Sequence, residues 1–181
     1  MKVAIKSITQ ENLDDIPEPC RVCLYWEFPE EFEKLQQKSR LAEEKKREWF
    51  IETLKGFGDC GKIVYLDEVP VGYAQYAPLS CLPQASSYKT KRLQGLEEGT
   101  VFLSCLYVSN EKHRGKGMGM KLLKSIITDL RDRGFKAVEA FARRGSSNNP
   151  SGPVELYLKS GFRIEDETDP EFPLVRLELW Q

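Results

Sequence analysis

"TVFLSCLYVSNEKHRGKGMGMKLLKSIITDLRDRG", from Thr100 to Gly134, joins a nearly all-apolar run to three glycines at 115, 117 and 119 and then to an amphipathic segment. The run 100–108 is too uniformly apolar to alternate, which suits a central strand covered on both faces. Beyond the glycines, Leu122, Leu123, Ile126, Ile127 and Leu130 recur at helical spacing, and Gly134 supplies the stop. A glycine inside a helix costs ~1 kcal/mol relative to alanine, so three at a helix start imply close approach of something to the backbone. Strand, glycine turn and helix start together make an anion site. Free N–H groups of the first turn and the positive end of the helix dipole face the occupant, and Arg114 and Lys116 add charge. The spacing G-x-G-x-G is neither the G-x-G-x-x-G of a dinucleotide fold nor the G-x-x-x-x-G-K-[ST] of a nucleotide triphosphate loop.

The rest of the chain alternates strand and helix signals around this stretch. "KVAIKSIT" (2–9) alternates apolar and polar residues and predicts a first strand. "ENLDDIPEPCRVCLYWEF" (11–28) has apolar residues at helical spacing, interrupted by Pro17 and Pro19. From Pro29 to about Leu54, the positions Phe32, Leu35, Ser39, Ala42, Lys46, Trp49, Phe50 and Leu54 step by three and four, predicting one long, mostly solvated helix. "GKIVYLDEVPVGYAQYAPL" (61–79) predicts two strands joined near Asp67 to Pro70, and the polar connection 80–99 is long enough to read as a functional loop or a disordered one. "KAVEAFARR" (136–144) predicts a strand, "PVELYLKSG" (153–161) a short helix, and "FRIEDETD" with "PLVRLELW" the closing strands. Short turns and helical crossovers both occur. The expected architecture is therefore α/β (α+β), a mixed central sheet of about six to seven strands with helices on both faces, in one domain over 1–181.

Two motifs carry a family resemblance. R-G-K-G-M-G (Arg114 to Gly119) follows a strand ending in L-Y-V (Leu106 to Val108), and "LYLKSGF" (156–162) presents Y-x-K-x-G-F about forty residues later. Together, on these elements, they resemble the acyl-CoA pyrophosphate loop and second signature of the bacterial-type GNAT superfamily of N-acetyltransferases. The resemblance implies the GNAT fold, acetyl-CoA as co-substrate, no metal, and transfer of acetyl to a primary amine by direct attack in a ternary complex. It implies that Leu106, Tyr107 and Val108 offer main-chain hydrogen bonds to the pantetheine arm where the strand splays from 137–143. Arg114, Gly115, Lys116, Gly117, Met118 and Gly119 would wrap the pyrophosphate, Asn149 or its neighbour Asn148 would touch the cofactor, and the Tyr157 hydroxyl would approach the thioester sulfur as acid. The alternative on the same scaffold is an acyl-CoA-binding or regulatory domain without turnover.

The acceptor side is less constrained. Many relatives place a base glutamate on the strand before the loop, whereas "FLSCLYV" (102–108) has no carboxylate. Ser104 is a candidate to hold a water there, with Glu97, Glu98 and Glu27 as further base candidates. Tyr25, Trp26 and Phe28 form a candidate aromatic wall for the substrate, with Glu27 attracting a cationic amine. Packing of these aromatics onto the core is the competing reading.

Composition bounds the remaining classes. With 27 basic and 28 acidic residues the net charge is -1, so no global field favours nucleic acid or anionic lipid. No apolar run approaches the ~20 residues of a membrane helix. Five scattered cysteines suit reduced thiols in a cytoplasmic protein. Cys20 and Cys23 form a C-x-x-C, but the sole histidine, His113, leaves no second ligand pair for a structural zinc. The expected partners are thus acetyl-CoA and an amine acceptor, with neither nucleic acid nor membrane, and with room for a homodimer.

Overall fold

The computed structural model describes residues 1–35, 39–90, 97–146 and 148–180. Seven strands form one sheet: β1 (Val3–Ser7), β2 (Gly61–Leu66), β3 (Val69–Ala77), β4 (Thr100–Val108), β5 (Ala137–Phe141), β6 (Arg163–Asp166) and β7 (Leu174–Glu178). Their spatial order is β1-β2-β3-β4-β5-β7-β6. Every pairing is antiparallel except β4 with β5, which is parallel because the helix α3 (Met118–Asp132) carries the chain across between them. This is the mixed sheet with helices on both faces that the sequence pattern predicts.

Alternation along the strands sorts side chains onto two cores. Val64, Leu66, Val138, Ala140, Val175 and Leu177 face α3 and the short helix α4 (Val154–Lys159), meeting Leu122, Leu123, Ile126 and Leu130. Ile63, Tyr65, Tyr73, Phe102 and Phe141 face the opposite layer, built from Trp49 and Phe50 of α2 (Arg40–Gly56) and from the turns around Leu13, Ile16 and Trp26. Across β5 and β7, Arg176 donates to Glu139, its directly paired residue, at 2.9 Å and to Glu97 at 2.6 Å, so the charges inside the sheet are paired.

Two elements differ from the sequence reading. The predicted long helix is two: α1 (Pro29–Lys34) and α2, with Ser39 as the N-cap of α2, its hydroxyl accepting from the Ala42 N–H at 3.1 Å. A serine that satisfies a free amide of the next turn starts a helix in preference to continuing one. Segment 11–28 contains 3₁₀ turns (Gln10–Asp15 and Cys20–Val22), since prolines at 17 and 19 remove donors an α-helix needs. Among the described residues no helix is long and apolar enough to cross a membrane, and no group of His, Cys, Asp and Glu is arranged to hold a metal ion.

Candidate active site

The parallel ladder between β4 and β5 is short. It runs Thr100–Ala137, Val101–Val138, Phe102–Glu139 and then stops, while β4 continues to Val108. Beyond Phe102 the β4 edge that faces β5 therefore has no strand partner. At the far end of β4 the chain turns through Gly115 (φ +71°) and Gly117 (φ +81°) into α3, with Gly117 as its N-cap. Both backbones lie in the left-handed region that glycine adopts without strain, and a Cβ at either would meet nothing within 4 Å. Arg114 locks the turn to the strand: its Nε donates to the Val108 carbonyl at 2.9 Å and its guanidinium reaches the Tyr107 hydroxyl at 3.2 Å. A cavity of about 370 Å³ opens there, bounded by Leu106, Tyr107 and Val108 of β4, by Arg114, Gly115, Gly117, Met118 and Gly119 of the turn, and by Asn149. The first-turn amides of α3 open onto it, so the cavity has the electrostatics of an anion site.

The gap between β4 and the chain after β5 is filled by residues 149–152. The Pro150 carbonyl accepts from the Leu106 N–H at 2.6 Å, and the Gly152 carbonyl accepts from the Arg143 N–H at 2.8 Å. Tyr157 of α4 lies beneath this segment, wholly buried, its hydroxyl donating to the Ser151 carbonyl at 2.7 Å. Burial pushes the Tyr157 phenol well up, so it keeps its proton across the physiological range. Gly152 (φ +77°) is hemmed in, since a Cβ there would stand 3.2 Å from the Tyr157 ring and 3.3 Å from Leu106.

A second cavity, about 310 Å³, lies on the α2 face of the sheet. Consecutive β4 residues point to opposite faces, so Leu106 borders the first cavity and Cys105 the second, and Asn149 borders both. Trp26 stacks on Tyr88 at 5.3 Å, Tyr88 stacks on Phe141 at 4.3 Å, and the Tyr25 and Tyr88 hydroxyls meet at 3.0 Å. Lys46 of α2 reaches this cavity from below, hydrogen-bonded to Glu27 and, at 2.8 Å, to Gln75. Burial is the largest single influence and disfavours its charge, but the Glu27 carboxylate together with Cys105 and Cys23 outweighs it, and the Lys46 pKa lies above its ordinary value. Burial pushes the Cys20 thiol up to about 12 and the Cys105 thiol well above its ordinary value, so neither is a ready nucleophile.

Residues 21–162 match the family model described as the acetyltransferase (GNAT) family. The chain belongs to this family. No curated protein sequence matches it closely. The solved structures like it include the PaiA N-acetyltransferase of Thermoplasma acidophilum in complex with coenzyme A, 16% identical with a TM-score of 0.65, covering 98% of this chain and 99% of that one. yncA of Salmonella typhimurium, solved with acetyl-CoA, is 18% identical with a TM-score of 0.65, covering 99% of this chain and 95% of that one. An N-acetyltransferase of Staphylococcus aureus Mu50 is 17% identical with a TM-score of 0.61, covering 99% of this chain and 100% of that one. At these identities the likeness is one of GNAT fold.

Within this GNAT fold the sequence-predicted cofactor residues converge. Leu106, Tyr107, Val108, Arg114, Gly115, Gly117, Met118, Gly119 and Asn149 border one cavity, whereas Lys116 is exposed and outside it. Ser104 departs from expectation. It is the extra residue of a β-bulge between the pairs Gln75–Cys105 and Tyr76–Leu103, 1% exposed, with its hydroxyl donating to the Gln75 carbonyl at 3.1 Å. Its hydroxyl is committed inside the sheet, and Ser104 borders neither cavity. Glu27 departs too: its side chain has no solvent exposure and its Oε1 accepts from Lys46 and Gln75. It borders neither of these two cavities, although its Oε2 has no hydrogen-bond partner among the described residues. Trp26 does border the second cavity, with Tyr25. Of the long connection, residues 91–96 lie outside the described residues.

Sequence reasoning missed His113, Glu155 and Lys159 on the first cavity, and Lys46 and Phe172 on the second. Lys46 did carry a signal: a lysine on the apolar stripe of an amphipathic helix requires a buried partner.

Proposed function

We propose that this chain is an acetyl-CoA-dependent N-acetyltransferase of one domain over 1–181, acting in the cytoplasm on a primary amine by direct attack in a ternary complex. The observation that carries the reading is the first cavity, where a glycine turn at the N-terminus of α3 meets the stretch of β4 that its parallel neighbour β5 leaves without a strand partner. The coenzyme A and acetyl-CoA bound in the two relatives named above support it.

The pyrophosphate is assigned to the amides of 114–119, with the Arg114 and Lys116 charges nearby, and the pantetheine arm to the main chain of Leu106–Val108. Asn149 stands where both cavities meet. The acceptor nitrogen attacks the thioester carbonyl from the second cavity, beside Trp26, and the C–S bond breaks. The departing thiolate is assigned its proton from Tyr157, which requires the Tyr157–Ser151 hydrogen bond to open. The proton shed by the acceptor nitrogen restores the Tyr157 phenol, so the net transfer is from nitrogen to sulfur. Glu27 is proposed to act on the acceptor only through Lys46, which it holds in place.

Binding without turnover has one observation on its side: β4 carries no carboxylate to serve as a base, and its Ser104 hydroxyl is committed to the Gln75 carbonyl. Release of free thiol from acetyl-CoA on addition of primary amines decides between them. Calorimetric binding of acetyl-CoA with no thiol release across polyamine, amino-acid, arylamine and peptide acceptors supports the binding module.

A further inference from the structure

The second cavity has the walls of an apolar, flat ligand. Trp26, Tyr88 and Phe172 lie along it, Tyr88 sandwiched between stacked Trp26 and Phe141, with Phe172 edge-on at 5.9 Å. None of its described lining residues is acidic, and its one charged group, Lys46, is a cation. Glu27, the carboxylate that Lys46 donates to, has a side chain with no solvent exposure, forms a neutral pair with that lysine and does not border this cavity. A protonated amine entering here gives up its hydration with no carboxylate among the described lining residues to receive it. β4 meanwhile offers no carboxylate to remove the extra proton, and the Ser104 hydroxyl is committed to Gln75.

Both features are explained by one acceptor class. We infer that the acceptor is a weakly basic aromatic primary amine, an arylamine whose nitrogen reaches the site unprotonated and whose ring lies against Trp26 and Phe172. This rests on the acetyltransferase reading and specifies it. The neutral nitrogen lone pair forms the N–C bond to the acetyl carbon and the C–S bond breaks. One N–H proton leaves as the amide forms and ends on the CoA sulfur, so arylamine and acetyl-CoA give acetylated arylamine and free CoA with no further reagent. No base is needed before attack, because the nitrogen carries no surplus proton. Polyamines and aminoglycosides, which carry several charges, are excluded by the same desolvation cost.

The test compares 4-methoxyaniline with spermidine as acceptors, reading thiol release, alongside calorimetric titration of 4-methoxyaniline into the CoA-bound protein. Expected is a kcat/KM at least tenfold higher for 4-methoxyaniline. Phe172→Asp, which sets a carboxylate on the wall, should raise the KM for 4-methoxyaniline about tenfold or more while leaving that of acetyl-CoA unchanged, since Phe172 does not border the first cavity. Equal or better use of spermidine by the parent protein overturns the arylamine inference and leaves the acetyltransferase reading standing. Binding of 4-methoxyaniline, lost in Phe172→Asp, with no turnover of either amine supports the ligand class and removes the transferase reading. Neither binding nor turnover of 4-methoxyaniline overturns the inference, whatever spermidine does.

Discussion

At Gly117 the backbone conformation and the open space above it serve one end: amides face a cavity that no side chain fills. Saturation with acetyl-CoA at a hundredfold excess over Kd should stabilise the fold by roughly 2.7 kcal/mol. Gly117→Glu should remove that stabilisation, because it places bulk and negative charge where the phosphates are assigned. A variant that is stabilised as much as the parent moves the phosphate site elsewhere. Tyr157 is the second residue on which the chemistry turns. Its hydroxyl holds the Ser151 carbonyl and lies 3.3 Å from where a Gly152 Cβ would stand, directly under the segment that fills the β4–β5 gap. Tyr157→Phe should lower kcat by ~10²-fold or more and leave the acetyl-CoA KM nearly unchanged, since the ring packing against Phe162 is retained. An unchanged kcat, measured where chemistry limits the rate, assigns the hydroxyl to supporting the segment alone.

Among the elements, β4 and the segment 149–152 define what must move. A pantetheine arm along β4 competes with the Pro150 carbonyl for the Leu106 N–H. Titration with acetyl-CoA should therefore shift the amide resonances of Leu106, Asn149, Ser151 and Gly152 beyond those of the α3 face, and an unmoved Leu106 amide places the arm off this edge. Helix α2 has its own test. Ser39 caps it and Lys46, two turns on, anchors Glu27 and Gln75. Ser39→Ala should cost about 1 kcal/mol, lowering Tm by ~2–4 °C. A smaller loss than a few tenths of a kcal/mol in denaturant titration means that the helix start is held by packing instead. The sequence showed α3 and its strand plainly because apolar period and glycine turn agree there. It misplaced the start of α2 because Ser39 fits the three-and-four step of the stripe while its hydroxyl ends the step by capping.

Across the whole molecule, burial sets the pH limit. Cys20 and Cys60 each have a thiol pKa raised from 9.0 to about 12 by burial, so well below 9.0 these two thiols are protonated in folded and unfolded chains alike. Above it the unfolded chain releases protons that the folded chain retains, and stability falls as pH rises toward about 12. Tm should therefore decline from about pH 9 upward, and the decline should lessen in Cys60→Ala relative to its own value at neutral pH. The fold class, the mixed sheet and the glycine turn were determined by the sequence alone, because each depends on local periodicity or on conformations that only glycine adopts freely. Trp26 on a cavity wall was also legible, as an aromatic beside a helix turn. Three matters were decided only by the tertiary structure: Ser104 is committed to Gln75, Glu27 is neutralised by Lys46, and the Pro150 carbonyl sits on the β4 edge. Each depends on which polar group meets which partner across segments distant in the chain. That pairing is set by the register of β3 on β4 and the docking of α2, neither of which leaves a periodic mark in the sequence.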